Sequence, residues 1–430
     1  MSNSKNSISP KSEIPIEGYS FRWWNNLKPK NAFTAFKYPN YRLWFRGQLV
    51  SLFGTWMQMT AQGFLIFELT HSPAYLGMLG FSIGLPSWVF MMYAGVVADR
   101  LPRRTVLMIT QSSAMILAMV LASLTFLGLV EAWHILVFGL LLGITTAFDA
   151  PARQAFVLEM VEREDLTNAI ALNSTLFNTA TAVGPAAGGI VYAAFGPAWC
   201  FTVNAVSFLA VIFALYKMKL KPFKKKEKNG SALYEFKEGF KYVIHQPVIR
   251  TIVAIVGMTT LFGFSFSTLI PAWAVKILNG DATTNGILQS ARGIGSLSGA
   301  LFIASLGRFN FRGKILTIGK FLFPALLIVF SFVRWLPLSL LVLVGVGTMV
   351  MFIFNMANAL IQLIVPDDLR GRVMSIYSFA FFGFMPLGAL LTGFMAEHIG
   401  EPVTIIINSS VLICFSLFVF LKVPKLRNQK

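Results

Sequence analysis

The charged sequence GVVADRLPRR, at residues 95–104, lies between two long apolar stretches. An acid and three arginines are costly to place beside a bilayer, because charged groups there lose much of their hydration. Such a turn suits a hinge at the membrane surface, whose charges are held by neighbouring helices in one conformation and released in another. The stretch therefore predicts a membrane protein that changes conformation.

The composition indicates a protein built for lipid. Hydrophobic residues make up 56% of the 430 residues and charged residues 13%, and the mean hydropathy is +0.67. A soluble domain carries about 25% charged residues. About twelve apolar stretches are long enough to cross roughly 30 Å of hydrocarbon as helices. They lie near 43–69, 75–99, 105–128, 132–150, 167–194, 198–216, 249–272, 284–306, 314–334, 336–364, 371–396 and 401–421. We predict an all-α membrane protein with twelve transmembrane helices.

The net charge of +18 raises the question of a nucleic-acid partner, but the placement of the cations argues against one. Lysines and arginines collect in the termini and in alternate loops. Only Lys276 and Arg334 fall in the other loops, and Arg292 lies within a span. This asymmetry places both termini in the cytoplasm. We expect a monomeric, multi-pass protein of the bacterial inner membrane, with the lipid bilayer as a partner and no nucleic-acid partner.

The residue inventory favours neither an enzyme nor a metalloprotein. Cys200 and Cys414 fall in apolar spans, and the four histidines lack the spacing of metal ligands. The spans hold no convergent set of acids, histidines and nucleophiles, so we expect no catalysis, cofactor or metal. The pair Gly313-Lys314 lacks the upstream glycine of a phosphate loop. Energy then comes from an ion gradient, from the gradient of the substrate or from another chain.

The chain divides into two related halves joined by a basic linker. A shift of 204 residues places Gly184 on Gly388, Gly189 on Gly393, Gly196 on Gly400 and Asn204 on Asn408. Such repeats are typical of transporters built from two pseudo-symmetric six-helix bundles around a central site. The predicted segments are a cytoplasmic N-terminal segment (1–42, without the apolar core of a signal peptide), an N-terminal bundle (43–216), a linker (217–248), a C-terminal bundle (249–421) and a cytoplasmic tail (422–430). Residues 232–246 have the pattern of an amphipathic surface helix.

Two motifs resemble those of the major facilitator superfamily. Residues 95–104 match its loop signature, Gly-x-x-x-Asp-Arg-x-x-Arg-Arg, and residues 184–189 match the Gly-Pro-x-x-Gly-Gly core of its antiporter motif. Further stretches resemble one exporter subfamily, which includes enterobactin exporters and macrolide efflux proteins. These are RLWFRGQ (42–48), GTWMQ (54–58), ELTHSP (68–73), APARQ (150–154), REDL (163–166) and PDDLRGRV (366–373). The resemblance implies a twelve-helix exporter.

The resemblance implies two sets of conformational residues. The gating set is Gly95, Asp99, Arg100, Arg103 and Arg104. These residues either form a latch that closes when the cavity faces outward or only fix the loop on the inner side. The antiporter set is Gly184, Pro185, Gly188 and Gly189. Small residues let helices approach closely and proline bends a helix, so simple packing is the alternative for this set.

Polar residues at helical spacing inside the spans are candidates for substrate binding. They are Thr55, Gln58, Gln62, Asn178, Gln289, Arg292, Asn355 and Asn358. Polar groups avoid lipid, so these faces point either at other helices or at a wet cavity. Arg292 lies about eight residues, or roughly 12 Å, into its span. It snorkels to the outer interface, binds an anionic group such as a carboxylate or catecholate, or pairs with a protein acid.

The coupling residue is the least visible part of the sequence. Asp149 and Arg153 are spaced i to i+4 at the inner end of the fourth span, which favours a local ion pair. They are also our candidates for a proton relay.

We predict a secondary active exporter of a small organic molecule that works by alternating access. The resemblance implies proton antiport and, together with Arg292, a siderophore-like or related secreted metabolite as substrate. A multidrug or macrolide pump of the same fold is the alternative within the class. A channel or scaffold subunit is the alternative from another class.

Overall fold

The computed structural model of the protein describes residues 29–220, 232–306 and 309–427, so the predictions for residues 1–28 and for the lysine run at 224–228 lie outside the described chain. The principal helices are α1 Pro39–Thr70, α2 Pro73–Arg100, α3 Arg103–Phe126, α4 Ala132–Phe156, α5 Leu166–Phe195, α6 Pro197–Lys217, α7 Ala232–His245, α8 Pro247–Ile277, α9 Ala282–Ser305, α10 Arg312–Phe332, α11 Leu336–Ile364, α12 Asp367–Ile399 and α13 Glu401–Lys422. A short 3₁₀ helix, Pro29–Lys37, precedes α1. The prediction of an all-α protein is confirmed.

Each predicted apolar stretch coincides with one of these helices. In the described part of the chain, eight helices are long and apolar enough to cross a membrane, namely α3, α4, α6, α8, α10, α11, α12 and α13. The other long helices, α1, α2, α5 and α9, carry many of the polar residues and glycines of the predicted sites.

The amphipathic stretch in the linker forms helix α7, which packs against the first part of α12. The ring centroids of Phe236 and Phe379 are 5.9 Å apart, and Arg372 forms an ion pair of 2.9 Å with Glu238. Gly239 lets α7 approach closely, because a Cβ at this position would lie 2.7 Å from the carbonyl oxygen of Arg372. The linker helix is thus attached to the C-terminal half.

The repeat noted in the sequence reappears in the turns between helices. Gly196 separates α5 from α6 with φ of 89°, and Gly400 separates α12 from α13 with φ of 80°. Only glycine adopts these backbone angles without strain. A proline follows each glycine within two residues and is the first or second residue of the next helix, where its missing N–H costs nothing.

The apolar cores follow the two halves of the chain. One cluster of buried side chains contains only residues from Val243 onward, with Trp273 and Phe323 fully buried. Another contains only residues up to Met218. A third combines residues of α1 to α6 with Ala272 and Ala282 of the second half. Most of the packing is therefore internal to a half.

The two halves meet where α5 packs on α9 and α2 packs on α12. A Cβ on Gly189 would lie 3.1 Å from the Cα of Gly286, and one on Gly77 would lie 3.0 Å from the Cα of Gly393. Glycine against glycine allows the backbones themselves to touch. We call this side, with the helix ends near 70–73, 195–197, 278–282 and 399–401, the closed end. The opposite side, with the helix ends near 101–102, 157–165, 218–246 and 365–366, is the basic end.

Candidate functional site

Helix α8 is irregular in its middle, which the sequence did not predict. A π-helical turn covers Thr259–Gly263, a 3₁₀ turn covers Phe264–Leu269, and a second π turn covers Trp273–Ile277. Such departures cluster at functional sites in helices. In transporters, interrupted helices line the substrate site near the midplane. The irregular segment is therefore a reference point for locating a site.

Arg292 of α9 faces this irregular segment. Its Cζ lies 5.2 Å from the ring centroid of Phe264, close enough for a cation–π contact. The Phe264 ring is 6.4 Å from that of Phe354 and 6.0 Å from that of Phe381, and the last two stand edge to face at 4.8 Å. Four helices, α8, α9, α11 and α12, thus place one cation against a cluster of three aromatic rings.

The guanidinium of Arg292 has hydrogen-bonding capacity left over. Its Nε is buried and has no hydrogen-bond partner among the described residues, and none of their acids pairs with it. A buried donor without a partner loses its bond to water and gains none from the protein. A bound anion would supply the missing acceptor.

The contact between α5 and α9 lies directly beside Arg292. The backbone N–H of Ala186 donates to Ser290 Oγ at 2.9 Å, and the carbonyl of Thr181 packs against Gly293. Arg292 is therefore one residue away from the surface on which the halves meet.

The antiporter residues of α5 act as a packing surface in two directions. A Cβ on Gly184 would lie 2.6 Å from Trp56 Cβ, and one on Gly188 would lie 3.0 Å from Met57 Cα, so these two face α1. Gly189 faces Ala282 and Gly286 of α9 instead. Pro185 lies inside α5, and its carbonyl oxygen also packs against Gly286 of α9.

Two of the predicted binding residues in α1 bond to neighbouring helices of the same half. Gln58 Oε1 accepts from Asn204 Nδ2 of α6 at 2.7 Å, and Gln62 Nε2 donates to the Ile135 carbonyl of α4 at 3.2 Å. Both glutamines are at most 4% exposed. Thr55 is partly exposed and bonds to a carbonyl of its own helix.

The remaining predicted binding residues bond within their own helices. Asn178 Nδ2 donates to a carbonyl one turn earlier in α5, at 2.9 Å. Gln289 donates to Asn285, Asn355 approaches a methionine sulfur, and Asn358 accepts from a glutamine one turn later. The structure places Gln289 one turn from Arg292 on α9, and Asn355 directly follows Phe354 of the aromatic cluster in the sequence of α11.

The predicted gating turn contacts loops of the N-terminal half. Arg103 pairs with Glu159 at 2.6 Å. Arg104 donates to the carbonyl of Tyr216 at 2.8 Å and that of Met218 at 3.4 Å, where a cation satisfies the free carbonyls that end α6. Arg100 is exposed and a Cβ on Gly95 would meet nothing within 4 Å. The side chain of Asp99, the remaining gating residue, lies outside the described side chains.

The predicted coupling pair is the centre of a buried polar network. Asp149, 4% exposed, accepts from Thr110 Oγ1 and Gln111 Nε2 of α3, both at 2.8 Å, and from the guanidinium of Arg153. Arg153 also donates to Gln48 Oε1 of α1 at 3.1 Å. The network joins α1, α3 and α4 near the basic end.

Polar contacts between the halves at the closed end were not predicted. Glu397 of α12 accepts from Ser72 Oγ at 2.6 Å and from the Ala74 N–H at 3.3 Å, so it caps the start of α2 from the other half. Lys276 pairs with buried Glu401 at 3.2 Å and lies 5.5 Å from the Phe67 ring centroid of α1. The sequence signal was limited to their positions near helix ends.

The burial of a lysine in α10 was not predicted either, because its position in the sequence is close to the end of a predicted span. Lys320 is 5% exposed, and its Nζ lies 5.3 Å and 5.9 Å from the ring centroids of Phe321 and Phe420. It is thus another cation held against aromatic rings, on the side of the C-terminal half formed by α10 and α13.

A polar clamp attaches the segment before α1 to the loop between α4 and α5. Lys37 Nζ pairs with Asp165 at 2.6 Å and Tyr38 donates to the same carboxylate at 2.9 Å. The bond to Lys37, with those to Thr34 and Tyr38, lowers the pKa of Asp165 to about 2, and the same pairing raises the pKa of Lys37.

Comparison with known proteins places these features in a family. The sequence model of the Transmembrane secretion effector family matches residues 30–430. The Staphyloferrin A transporter of Staphylococcus aureus is 23% identical over 90% of this chain and 97% of its own. The multidrug efflux pump Tap of Mycolicibacterium fortuitum is 28% identical over 87% and 93%. Enterobactin exporter EntS of Citrobacter koseri is 23% identical over 91% and 93%.

Solved structures agree on the fold. A crystal structure of a bacterial homologue of the human lysosomal transporter Spinster superposes with a TM-score of 0.67 at 13% identity, covering 89% of this chain and 95% of that one. The resemblance carried by residues 95–104 and 184–189 is confirmed, as is the expectation of a transporter in place of an enzyme. The chain belongs to the Transmembrane secretion effector family of the major facilitator superfamily.

Proposed function

We propose that the protein is a secondary active exporter of a small organic molecule that works by alternating access. In this proposal α1, α2, α5 and α9 also cross the membrane, giving twelve spans in two six-helix bundles at 43–216 and 249–421. These four helices are less apolar because they meet the opposite half and not lipid, as the glycine contacts of α2, α5 and α9 indicate. Both termini and the basic end then face the cytoplasm.

The observation that carries the proposal is Arg292. Its guanidinium lies beside an aromatic cluster, at the surface between the halves and opposite the irregular part of α8. A planar cation with a free N–H binds carboxylates and related anions well, and aromatic rings stack on flat ligands. We infer an anionic substrate of the siderophore type, carrying carboxylate or catecholate groups. Relatives named for staphyloferrin A and enterobactin support this substrate class.

Alternating access is supported by the contrast between the two ends of the molecule. Backbone contacts and the Glu397 cap join the halves at the closed end. In our proposal these contacts open when the gating residues 95–104 close the basic end. Substrate then enters from the cytoplasm in the present conformation and leaves after the switch.

We propose proton antiport through Asp149 and Arg153. Asp149 and Arg153 are bonded to each other in this conformation, and Asp149 accepts hydrogen bonds from donors on two helices. In this proposal a rearrangement of α1, α3 and α4 opens the network and couples proton binding by Asp149 to the switch. Asp149→Asn is expected to remove the pH dependence of transport in vesicles, whereas Asp165→Asn, at the same end but outside the network, retains it.

A multidrug or macrolide pump of the same fold is the second candidate. The three phenylalanines of the aromatic cluster suit flat apolar drugs, and the relative Tap is named as a multidrug efflux pump. Such a pump would not depend on a cation at position 292. A channel or scaffold subunit would not require two alternative contact surfaces between its halves.

The first experiment is untargeted mass spectrometry of cells and spent medium, comparing a strain that lacks the protein with its parent under iron limitation. We expect an anionic metabolite that accumulates inside and disappears outside. Unchanged metabolites together with increased drug sensitivity would favour the multidrug function.

The role of Arg292 is tested with the identified metabolite in inside-out vesicles. Arg292→Gln should lower the apparent affinity at least 10-fold, since a hydrogen-bonded charge is worth about 1.5–3 kcal/mol. Arg292→Lys should restore part of it. The matched control is Lys320→Gln, which removes a buried cation that contacts phenylalanines elsewhere in the C-terminal half and should leave affinity unchanged. Equal affinity for wild type and Arg292→Gln would contradict the proposed site.

A further inference from the structure

A groove opens at the basic end between the first turns of α8 and the last turns of α13. Its volume is about 740 Å³. Phe415, Phe418 and Ala254 form apolar walls, and Phe418 is 58% exposed, so the groove opens to the surroundings of the protein. In a membrane protein these surroundings are lipid. The groove is separate from the aromatic cluster at Arg292.

The mouth of the groove is positively charged. Arg250, Lys422 and Lys425 line it, and no described residue along the groove carries a carboxylate. Arg250 makes one long hydrogen bond of 3.4 Å to the carbonyl of Ile244, and the Lys422 ammonium has no polar partner in the described chain. The charges of Arg250 and Lys422 are not paired with a carboxylate of the described chain, and they complement an anion.

The start of α8 adds to this positive character. Pro247 is the first residue of the helix, and the N-cap residue Gln246 makes no capping hydrogen bond with its side chain. Free N–H groups and the helix dipole make such a terminus attractive to phosphate. The start of α8 and the cations at the mouth therefore both face the groove.

Along both helices the charged residues lie at the mouth of the groove and the apolar residues lie deeper, which matches an amphiphilic ligand. Ala254 lies one turn, or about 6 Å, deeper than Arg250, and Phe418 and Phe415 lie about 6 and 10 Å deeper than Lys422. Cations at helix ends sit at headgroup depth, whereas residues one or two turns inside face acyl chains. An inorganic phosphate would use only the mouth and leave the apolar walls uncovered.

We propose that this groove is a binding site for an anionic glycerophospholipid of the leaflet at the basic end. The phosphate lies between Arg250, Lys422 and the start of α8, and one acyl chain lies along Phe418, Phe415 and Ala254. This site goes beyond the proposed export function and does not depend on the identity of the substrate.

The test measures lipid retention by the purified full-length protein. Native mass spectrometry is carried out with phosphatidylglycerol or phosphatidylcholine titrated into detergent. The wild type should bind one phosphatidylglycerol at least 10-fold more tightly than phosphatidylcholine. Arg250→Gln with Lys422→Gln should lose about 30-fold in affinity for phosphatidylglycerol, since each cation near an anionic surface is worth about a fivefold factor.

Two further variants distinguish the groove from general surface charge. Lys217→Gln with Lys219→Gln removes two exposed cations at the same end of the N-terminal half and should retain the preference. Ala254→Trp fills the acyl side of the groove without changing its charge and should lower affinity for phosphatidylglycerol. Equal affinity of the wild type for the two lipids, equal loss in the Lys217/Lys219 control, or displacement of the lipid by inorganic phosphate alone would overturn the proposal.

Discussion

The closed end and the basic end of the molecule are held together in different ways. At the closed end, glycines bring backbones of opposite halves into contact, as at Gly189 and Gly286, and Glu397 caps a helix of the other half. At the basic end, the contacts made by Arg103, Arg104 and Asp149 stay inside the N-terminal half.

In the proposed alternating-access cycle, this difference indicates which contacts would have to break for the molecule to switch. Contacts within a half preserve its shape through a rotation, whereas contacts between halves define one of two positions. In this proposal the contacts at the closed end stabilise the present conformation, and those at the basic end keep the N-terminal half rigid. Substitutions at the two ends should produce distinguishable effects.

The largest effect is expected for Gly189→Leu. A side chain here would collide with the backbone of α9 at Ala282, which cannot move independently, and overpacking of this kind costs about 1–3 kcal/mol or more. Transport should fall at least about 10-fold, because 1.4 kcal/mol is a factor of ten. Gly371→Leu, where a Cβ meets nothing within 4 Å, is the control and should transport normally. Normal transport by Gly189→Leu would show that the backbone contact is dispensable.

A smaller effect is expected for Gly95→Ala, and it concerns the proposed conformation in which the basic end is closed. A Cβ here meets nothing within 4 Å and alanine favours the helix more than glycine does, so the thermal unfolding midpoint should not fall. If the basic end closes during transport, the added methyl group then meets the opposite half and slows the cycle by a few-fold. The measurements are the unfolding midpoint and the transport rate of the same preparation. An unchanged rate would remove Gly95 from the gate.

Glu397→Gln should raise the fraction of molecules in which the closed end is open by about twofold. An exposed charge at a helix terminus contributes about 0.3–1 kcal/mol. The reporter is Ala282→Cys in a Cys414→Ser background, because Ala282 is 3% exposed here and reacts with maleimide only when this end opens. Glu131→Gln serves as the control, since Glu131 caps α4 within its own half. Faster labelling in both variants would indicate general destabilisation.

The smallest effect is expected for the clamp at the basic end. The pKa of Asp165 is depressed to about 2, so its stabilising contribution is present above the ordinary value of 3.8 and is lost as the pH falls through 2. Asp165→Asn should therefore unfold at a lower temperature than the wild type at pH 7, and the gap should narrow below pH 4. A gap independent of pH would assign the effect to packing alone.

The sequence predicted the helices well because hydrophobic length and periodicity are local properties. Gly196 and Gly400 were aligned by the repeat, and the structure gives both the same turn. The loop signature and the antiporter core identified the family, since both are short motifs with fixed spacing.

The direction of polar side chains was harder to predict. Periodicity shows that Gln58 and Gln62 avoid lipid, but it does not show that they bond to α6 and α4. The irregular turns of α8 depend on packing against residues distant in sequence, such as Phe323 beside Gly263. The Glu397 cap joins residues 325 positions apart, and no local pattern encodes it.

The paired arginines at the start of α3 have a practical consequence for following transport. Arg103 and Arg104 fasten the loop after α4 and the end of α6 to one helix start. A body fastened in this way moves as a unit, so the position of one of its residues reports on the whole. The distance between a spin label at Tyr216 and another at Lys241 of α7 should then follow the movement of the N-terminal half relative to the C-terminal half in the proposed cycle.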